Sequence, residues 1–365
     1  MDISAAVFTA EQPLAITTIS IDDEPLGSEV LVRTVATGLC HSDLHVIDRS
    51  LYAGKGPLIM GHEGAGIVEA VGPDVRGFAP GDAVVACLSV FCGRCRQCLS
   101  GHPNVCTDSP NARARDERPR YLAGDRKAHA FAGIGAFAER MLLHENALVA
   151  VGDEVDLELA CLVGCGVLTG VGAVLRTAAV EAGQSVAVFG CGGVGLSIVQ
   201  AAVVAGAGPI IAVDRVPGKL DLARTAGATH VVDGGDGDAV ATIRELTGGS
   251  GVDHAFEAVG NAGLVRQACE SLAIRGTCTI VGVPPDGTVY EIPYEAVRPE
   301  CRIQTCRMGS NRFREDIPRY LDFHRRGLLH LDDLVTRTTT LDQLPGAVED
   351  MTRGDGARTV ITFGG

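Results

Sequence analysis

A glycine-rich turn at residues 190–195, with the sequence GCGGVG, constrains the fold of this chain more than any other feature. It directly follows an apolar run that ends at Phe189, and a helix-length stretch comes after it. Strand, glycine turn and helix in this order let the backbone approach a pyrophosphate, whose charge the N-terminus of the helix favours. Taken alone, the turn is also compatible with an ordinary tight connection between a strand and a helix.

An acidic residue further along the chain supports binding of a dinucleotide. Asp214 ends the next apolar run, about twenty residues after the turn. A carboxylate there accepts hydrogen bonds from ribose hydroxyls and disfavours a 2′-phosphate. The sequence therefore predicts NAD rather than NADP, although Arg215 directly after Asp214 could weaken that preference. The predicted cofactor-binding glycines are Gly190, Gly192, Gly193 and Gly195.

The wider pattern predicts an α/β chain of two domains. Over residues 157–306, apolar runs alternate with helix-length stretches, which is typical of a doubly wound parallel sheet of the Rossmann type. Residues 1–156 contain many short β segments separated by Gly, Pro and Asp, which predicts a mainly β domain. Residues 307–365 have mixed character, and we expect them to return to the first domain. A chain of 365 residues with 46% hydrophobic residues is large enough for two cores.

Four closely spaced cysteines predict a structural zinc site in a lobe at residues 88–110. Their spacing, C-x2-C-x2-C-x7-C, lets four thiolates converge on one tetrahedral ion and leaves no position for water. An iron–sulfur cluster is the alternative, but ferredoxin-type runs place three residues, rather than seven, before the fourth cysteine. The predicted ligands are Cys92, Cys95, Cys98 and Cys106.

Three further segments carry residues that could bind a metal or take part in catalysis. They surround Cys40, His62 and Cys165, and each contains glycine. A single Cys or His flanked by glycine is more often a packing or turn residue. Since spacing alone does not show that the three segments meet, the residues by themselves leave this site open.

In their order along the chain, these segments resemble the medium-chain zinc-dependent alcohol dehydrogenases, with most likeness to the dimeric class I and class III branches. The resemblance covers nearly the whole chain, and it implies a GroES-like catalytic domain at 1–156 and 307–365 beside a Rossmann domain at 157–306. It rests on the Cys40 segment, G-H-E-x-x-G at 61–66, the four-cysteine lobe, Gly-Cys-Gly at 164–166, the glycine turn with Asp214, G-V-P-P at 282–285 and R-T-V-I-T-F at 358–363.

The resemblance also implies a second, catalytic zinc ion. Cys40, His62 and Cys165 match its ligands, and this set leaves one coordination position open. Asp43 matches an acid that orients the ligand histidine and raises its basicity. Glu63 matches an acid near the metal.

Other positions match residues that bind the cofactor or the substrate or move the proton. Ser42 and His45 match a proton relay. The matched cofactor contacts are His41, Thr169, Val194, Lys219 and Arg358, and the matched walls of the substrate pocket are Leu88 and Phe131.

These positions imply an NAD-linked alcohol dehydrogenase that reversibly oxidises a primary or secondary alcohol to an aldehyde or ketone. The open metal position makes the ion a Lewis acid that stabilises the alkoxide, from which a hydride passes to the nicotinamide. We expect this small-molecule site in the cleft between the domains.

Two alternative functions stay open. A thiol-dependent formaldehyde dehydrogenase would oxidise an S-hydroxymethyl adduct of glutathione or mycothiol, and Arg113 or Arg115 could hold its carboxylates. Otherwise the stretch that contains these residues, Arg118 and Arg120 is expected to be a solvated loop or to line the substrate entrance. A non-catalytic, NAD-binding redox sensor is the remote alternative. Relatives that lost the chemistry tend to lose zinc ligands, whereas Cys40, His62 and Cys165 are all matched here.

Composition limits the expected partners and location. The net charge of −14 argues against nucleic acid as a partner, and no long uninterrupted apolar run predicts a membrane span. The N-terminal segment lacks the pattern of a signal peptide, and thirteen cysteines make a poor disulfide framework, so we expect a reducing cytoplasm. The long stretch between Cys106 and Phe137 is similar to that of the dimeric relatives, which favours a homodimer.

Overall fold

The chain forms two compact units in the computed structural model, which describes residues 1–51, 54, 56–110, 112–114, 116–235, 237–297, 299–354 and 356–364. Unit 1 consists of Met1–Cys165, Arg312–Leu321 and Arg337–Gly365, and unit 2 consists of Gly166–Asn311 and Asp322–Thr336. Residues 157–165 therefore lie with the first unit, and residues 322–336 lie with the second. The chain crosses between the units more often than the sequence pattern indicates.

The secondary structure begins with short strands and becomes an alternation of strands and helices after residue 185. The strands are β1 (Asp2–Phe8), β2 (Ala15–Ile21), β3 (Glu29–Leu39), β4 (Leu58–Ile59), β5 (Glu63–Val71), β6 (Ala83–Ala86), β7 (Tyr121–Ala123), β8 (Arg126–Ala130), β9 (Arg140–His144), β10 (Leu148–Ala150), β11 (Val186–Phe189), β12 (Ile210–Asp214), β13 (His230–Asp233), β14 (Val252–Glu257), β15 (Leu272–Ile280), β16 (Arg302–Thr305), β17 (Val335–Thr340) and β18 (Arg358–Thr362). The α-helices are α1 (His41–Ile47), α2 (Arg96–Leu99), α3 (Leu157–Ala160), α4 (Gly166–Gly172), α5 (Gly193–Val204), α6 (Pro217–Thr225), α7 (Ala239–Leu246), α8 (Ala262–Glu270), α9 (Phe313–Arg325) and α10 (Leu344–Arg353).

Among the described residues, no single helix is both long enough and apolar enough to cross a membrane. One bent pair of helical segments, Leu157–Gly164 and Gly166–Ala178, meets the length and composition criteria when the two are taken together.

Unit 1 is built on two β-sheets, a small closed barrel and a larger sheet in which β3 pairs with three other strands. Strands β1, β2, β7, β8 and β4 close a small barrel, and a larger sheet runs in the order β10-β6-β5-β3-β18-β17, with β9 also paired to β3. Successive side chains of a strand point to opposite faces. Val30 and Val32 therefore enter one core cluster, while Leu31 enters another. The last residue of β3, Leu39, is fully buried in a third core cluster, directly before Cys40.

Unit 2 contains the predicted doubly wound parallel sheet. Within the described residues its six strands run in the order β13-β12-β11-β14-β15-β16, and the paired strands are parallel. All four residues of β11 are buried, as expected for a strand that is covered on both faces. The order of strands reverses between β11 and β14, and in such sheets ligands bind at the carboxyl ends of the strands at this point.

The arginine-rich stretch after the four-cysteine lobe differs from the expected solvated loop. The side chain of Arg113 is only 4% exposed and contacts the carboxylates of Asp22 and Glu29. Arg120 donates to the same Glu29 at 2.7 Å, and the more exposed Arg118 also contacts Asp22. The expectation is wrong for Arg113 and Arg120, because acids far away in sequence pair with them at the start of β3.

We expect Arg113→Ala to lower the free energy of unfolding by about 3 kcal/mol, because it leaves buried carboxylates without their main partner. Urea unfolding of the variant and the parent protein measures this difference. The control is Arg94→Ala, which removes an arginine that is 79% exposed and paired with Asp108, and we expect it to change stability by less than about 1 kcal/mol. Equal effects of the two substitutions would contradict a structural role for the buried arginine.

Candidate functional site

The first part of the site is the junction between strand β3 and helix α1. Cys40 precedes the helix in an extended conformation, and its N–H donates to the carboxylate of Asp43 at 3.1 Å. The N–H of Gly61 donates to the other oxygen of Asp43, also at 3.1 Å. Asp43 is fully buried and therefore joins two segments that are about twenty residues apart in sequence.

The same carboxylate fixes the imidazole of His62. Nδ1 of His62 lies 3.3 Å from Asp43 Oδ1, and because a carboxylate only accepts, Nδ1 is the donor. Phe131 packs against the ring at 90°, with the ring centroids 5.3 Å apart. The Nε2 atom of His62 is buried and has no hydrogen-bond partner among the described residues. An orphaned ring nitrogen whose opposite nitrogen is held by a carboxylate is typical of a metal ligand.

Four buried residues, which we name the buried cluster, bring their ligand atoms together. They are Cys40, His62, Glu63 and Cys165, and one candidate ligand atom from each lies within 4.8 Å of the others. Two sulfurs and one imidazole form a donor set that suits Zn²⁺. Such an ion would also give the buried Nε2 of His62 the bonding partner that it lacks among the described residues. The structure thus brings together the three segments that sequence spacing could not connect.

The charges of the buried cluster also suit a cation. A hydrogen bond from the Cys165 thiol holds the pKa of Cys40 well below its usual range, whereas the pKa of Cys165 is raised by the same contact and by burial. Burial lowers the pKa of His62, but the carboxylate of Asp43 outweighs burial and raises this pKa to about 10. The site therefore concentrates negative charge around His62.

Glu63 also contacts a cation from strand β18. Nη2 of Arg358 pairs with Oε2 of Glu63, and both side chains are at most 4% exposed. Arg358 matched a cofactor contact in the sequence, and the structure places it beside the buried cluster in unit 1. The pair balances the charge of Glu63, an acid that lies among the candidate metal ligands.

The matched relay residues lie on helix α1. Ser42 Oγ is 3.9 Å from the sulfur of Cys40, which puts this hydroxyl at the edge of the buried cluster. His45 is three residues further along the same helix face, and its Nδ1 lies 2.8 Å from the hydroxyl of Ser50. Sequence reasoning missed Ser50, because only the fold of the segment after α1 brings it back to the imidazole.

Two more matched positions are half-buried or exposed in this unit. His41, the first residue of α1, is exposed, and Leu88 is half-buried against a core cluster that contains Ile134. Phe131, by contrast, contacts the buried cluster directly through His62.

The four cysteines of the lobe lie close to one another as their spacing predicts. Sγ of Cys95 is 3.5 Å from Sγ of Cys98 and 3.9 Å from that of Cys106, and Cys92 lies 4.0 Å from Cys98. The backbone N–H of Cys98 donates to Cys95 Sγ and lowers its pKa to about 5, while burial and the Cys95 thiol raise the pKa of Cys98 to about 12. A four-sulfur set of this size fits one tetrahedral zinc ion.

In unit 2, Asp214 connects the glycine turn to strand β12. One oxygen of its carboxylate accepts from the N–H of Cys191 at 2.7 Å, and the other accepts from Val216 at 3.0 Å. A Cβ atom on Gly195 would lie 1.8 Å from the carbonyl oxygen of Gly190, so only glycine permits helix α5 to start this close to the strand. Gly192 faces open space, where a ligand can approach the backbone.

The other matched cofactor residues of unit 2 lie on three helices. Thr169 on α4 is 7% exposed, and its hydroxyl is 3.5 Å from the sulfur of Met308. Val194 and Lys219, on α5 and α6, are half-buried.

Comparison with known proteins agrees with this geometry. Residues 27–153 match the alcohol dehydrogenase GroES-like domain, and residues 193–325 match the zinc-binding dehydrogenase family. An S-(hydroxymethyl)glutathione dehydrogenase of Haemophilus influenzae is 36% identical, over 99% of this chain and 97% of its own length.

Two solved structures are similar over their whole length. A protein of Burkholderia ambifaria, described as an alcohol dehydrogenase zinc-binding domain protein, is 39% identical with a TM-score of 0.93. The benzyl alcohol dehydrogenase of Acinetobacter calcoaceticus is 34% identical with a TM-score of 0.92. In both comparisons, all of this chain and all of the other chain are covered.

These matches confirm the predicted pairing of a GroES-like domain with an NAD-binding, doubly wound domain, as well as zinc and NAD as cofactors. The chain belongs to the medium-chain zinc-dependent alcohol dehydrogenase family.

Proposed function

We propose that the chain catalyses the reversible, NAD-linked oxidation of a primary or secondary alcohol, with Cys40, His62 and Cys165 holding the catalytic zinc. The observation that carries this proposal is the convergence of these three buried ligand atoms within 4.8 Å. Asp43 holds Nδ1 of His62, so that Nε2 is directed to the metal and the imidazole is a better donor. The four-sulfur set of the lobe holds a second zinc, whose closed coordination gives it a structural role.

When bound, zinc supplies Lewis acidity, which lowers the pKa of water from about 15.7 to about 7, and NAD accepts a hydride with its electron pair. The C–H bond of the alcohol supplies that hydride, and its O–H bond supplies a proton that the protein must remove. Ser42 accepts this proton while it releases its own hydroxyl proton, because its hydroxyl lies beside Cys40 at the edge of the buried cluster. His45 takes it next, with its Nδ1 held by Ser50 so that Nε2 is available.

Glu63 and Arg358 act as a pair in this proposal. Their buried contact keeps Glu63 near the metal ligands while Arg358 compensates its charge. The contact supports a role for Arg358 in holding Glu63, and it uses the guanidinium group that the resemblance matched to a cofactor contact.

The cofactor binds at the carboxyl end of the parallel sheet in unit 2. Asp214 accepts hydrogen bonds from the adenosine ribose, and the pyrophosphate lies over the glycine turn at Gly192 and Gly193. Val194, Thr169, Lys219 and His41 complete the set of proposed cofactor contacts, and Leu88 and Phe131 line the substrate pocket.

We expect His62→Ala to reduce alcohol oxidation by at least about a hundredfold, because the catalytic ion loses one of its three protein ligands. Metal analysis of the purified variant should find the lobe zinc retained and the other zinc largely lost. His102→Ala is the control, since this exposed residue lies within the lobe but outside its four-sulfur set, and we expect both zinc ions and full activity. A His62→Ala protein with full activity would rule out the proposed site.

A thiol-dependent formaldehyde dehydrogenase is the second candidate function, and the similarity to S-(hydroxymethyl)glutathione dehydrogenases favours it. This function needs a basic residue that holds the carboxylates of the adduct, and the structure does not support Arg113 in that role. Arg113 is buried and paired with Asp22 and Glu29, so it is unable to hold the carboxylates of an adduct. Arg115 lies outside the described residues. We therefore keep the plain alcohol dehydrogenase as the leading proposal.

A substrate panel separates the two functions. With NAD as cofactor, we expect turnover of benzyl and allylic alcohols without any added thiol, because Arg113 is already engaged in ion pairs. The same protein is assayed with formaldehyde alone and with formaldehyde plus glutathione or mycothiol. Turnover that depends strictly on the thiol would reverse the order of the two proposals.

We further propose that the protein is a homodimer that forms through strand β16. This strand is at the edge of the parallel sheet, where its outer backbone groups are available for pairing. Large apolar side chains are exposed in the same unit, including Ile274 at 65%, Val289 at 71% and Tyr294 at 86%. Pairing of two such edges would give a closed, two-fold assembly.

The cysteines support a reducing compartment, and we propose the cytoplasm. All thirteen cysteines are free thiols, and the nine that lie outside the lobe are buried or half-buried. Thiolate ligands must stay reduced to bind zinc. The intact buried cluster likewise argues against a redox sensor that has lost the chemistry.

A further inference from the structure

Glu257 is a fully buried acid that neither the sequence motifs nor the proposed mechanism uses. It is the last residue of β14, and its side chain turns towards the loop that follows this strand. Its Oε1 accepts hydrogen bonds from three consecutive N–H groups, those of Val259 and Gly260 at 2.8 Å and that of Asn261 at 3.2 Å. The carboxylate therefore fixes the turn at residues 259–261.

The backbone of Glu257 fixes a second loop. Its carbonyl oxygen accepts from the N–H of Val281 at 2.8 Å and from that of Gly282 at 2.9 Å, directly after strand β15. The two loops touch each other: a Cβ atom on Gly260, whose φ is +88°, would lie 2.3 Å from the carbonyl oxygen of Val283. Glu257 thus contacts both loops, and the two loops lie in direct contact with each other.

The turn at 259–261 also contacts the glycine turn that follows β11. The N–H of Ala258 donates to the carbonyl oxygen of Phe189 at 2.9 Å. A Cβ atom on Gly190 would lie 2.4 Å from Cγ2 of Val259. The loops after β11, β14 and β15 therefore pack against one another at one end of the sheet.

This end of the sheet is where a dinucleotide binds in a doubly wound fold. The strand order reverses between β11 and β14, and the crevice at such a point takes the cofactor across the carboxyl ends of the strands. Asp214 on β12 marks the adenosine side of the glycine turn. The other half of the dinucleotide then extends over the loops after β14 and β15.

These loops present apolar side chains that suit an aromatic ring, and a buried carboxylate holds them. Val259 and Val283 are 50% and 45% exposed, so each loop presents an apolar side chain at its surface. Burial of a carboxylate is costly, and Oε2 of Glu257 is buried with no hydrogen-bond partner among the described residues. The three N–H groups that donate to Oε1 offset this cost, and an apolar side chain at the end of the strand would leave them without this acceptor.

We propose that Glu257 is a positioning residue that fixes the turn at 259–261 and the loop at 281–283 as an apolar seat for the nicotinamide half of NAD. The inference rests on the proposed NAD-linked function. It assigns Glu257 no contact with the cofactor, because the residue acts through Val259 and Val283 on the loops that it holds.

The test compares Glu257→Ala, which removes the acceptor, with Glu257→Gln, which keeps a carbonyl oxygen at that position. NADH binding is measured by fluorescence and 5′-AMP binding by calorimetry, because 5′-AMP reports only on the adenosine half. We expect Glu257→Ala to weaken NADH binding by about tenfold or more while 5′-AMP binding changes by less than about twofold. Glu257→Gln should stay within about threefold of the parent for both ligands. Amide hydrogen exchange without ligand should speed up at residues 259–261 in Glu257→Ala.

The matched control is Asp253→Ala, in the same strand. Asp253 accepts from the N–H and the hydroxyl of Ser185 at 2.8 Å and 2.7 Å, at the opposite end of the sheet. We expect it to lose stability without any selective loss of NADH binding. A second variant, Gly260→Ala, displaces the same turn and should reproduce the selective loss, even if Glu257→Ala fails to fold.

Several results would overturn the inference. The first is unchanged NADH binding in both Glu257→Ala and Gly260→Ala. The second is equal weakening of NADH binding and 5′-AMP binding. The third is an equal loss of NADH binding in Glu257→Gln and Glu257→Ala, which would point to the charge of Glu257 instead of the position of the loops. A parent protein that folds but does not bind NADH would instead contradict the proposed function itself.

Discussion

The carboxylate of Asp43 is the contact on which the candidate active site depends. It accepts from the N–H groups of Cys40 and Gly61 and from Nδ1 of His62, so it joins the start of helix α1 to the segment before β5. This contact adds to the pairing of β3 with β5, which ends at Gly38 and Glu63, and it fixes the side chain of His62 beside Cys40. Its charge also favours a cation at the imidazole, since it raises the pKa of His62 against the effect of burial.

The same principle organises the cofactor unit, where buried or half-buried acids at strand ends hold loops through backbone N–H groups. Asp214 binds the N–H of Cys191 in the glycine turn, and Glu257 binds the turn at residues 259–261. Parallel strands end at the same edge of a sheet, so these acids fix neighbouring loops relative to one another. Rigid loops bind a flexible dinucleotide with less loss of conformational entropy, which links the fold of the sheet to the affinity for NAD.

Local sequence patterns were sufficient for the features that depend on neighbouring residues. The four cysteines of the lobe converge because their spacing is short. The alternation of apolar runs and helix-length stretches predicted the parallel sheet, and the glycine turn with Asp214 predicted its cofactor. Long-range contacts were not predictable in this way. The meeting of Cys40, His62 and Cys165 required a family resemblance, and the ion pairs of Arg113, the contact of Ser50 with His45 and the role of Glu257 needed the fold. The acids that pair with Arg113 lie more than eighty residues away in sequence. The contacts of His45 and Glu257 are closer in sequence, but they depend on how the backbone turns after a helix or strand, which periodicity does not indicate.

The central claim is that two sulfurs and one imidazole nitrogen bind one zinc ion while four sulfurs bind another. X-ray absorption at the zinc edge on the purified protein, loaded to two zinc ions per chain, tests it most directly. The account predicts an average of about three sulfur ligands per zinc, since one set offers four and the other two, together with an imidazole signal that His62→Ala removes. An all-sulfur spectrum with one zinc ion per chain, or an imidazole signal that persists in His62→Ala, would contradict it.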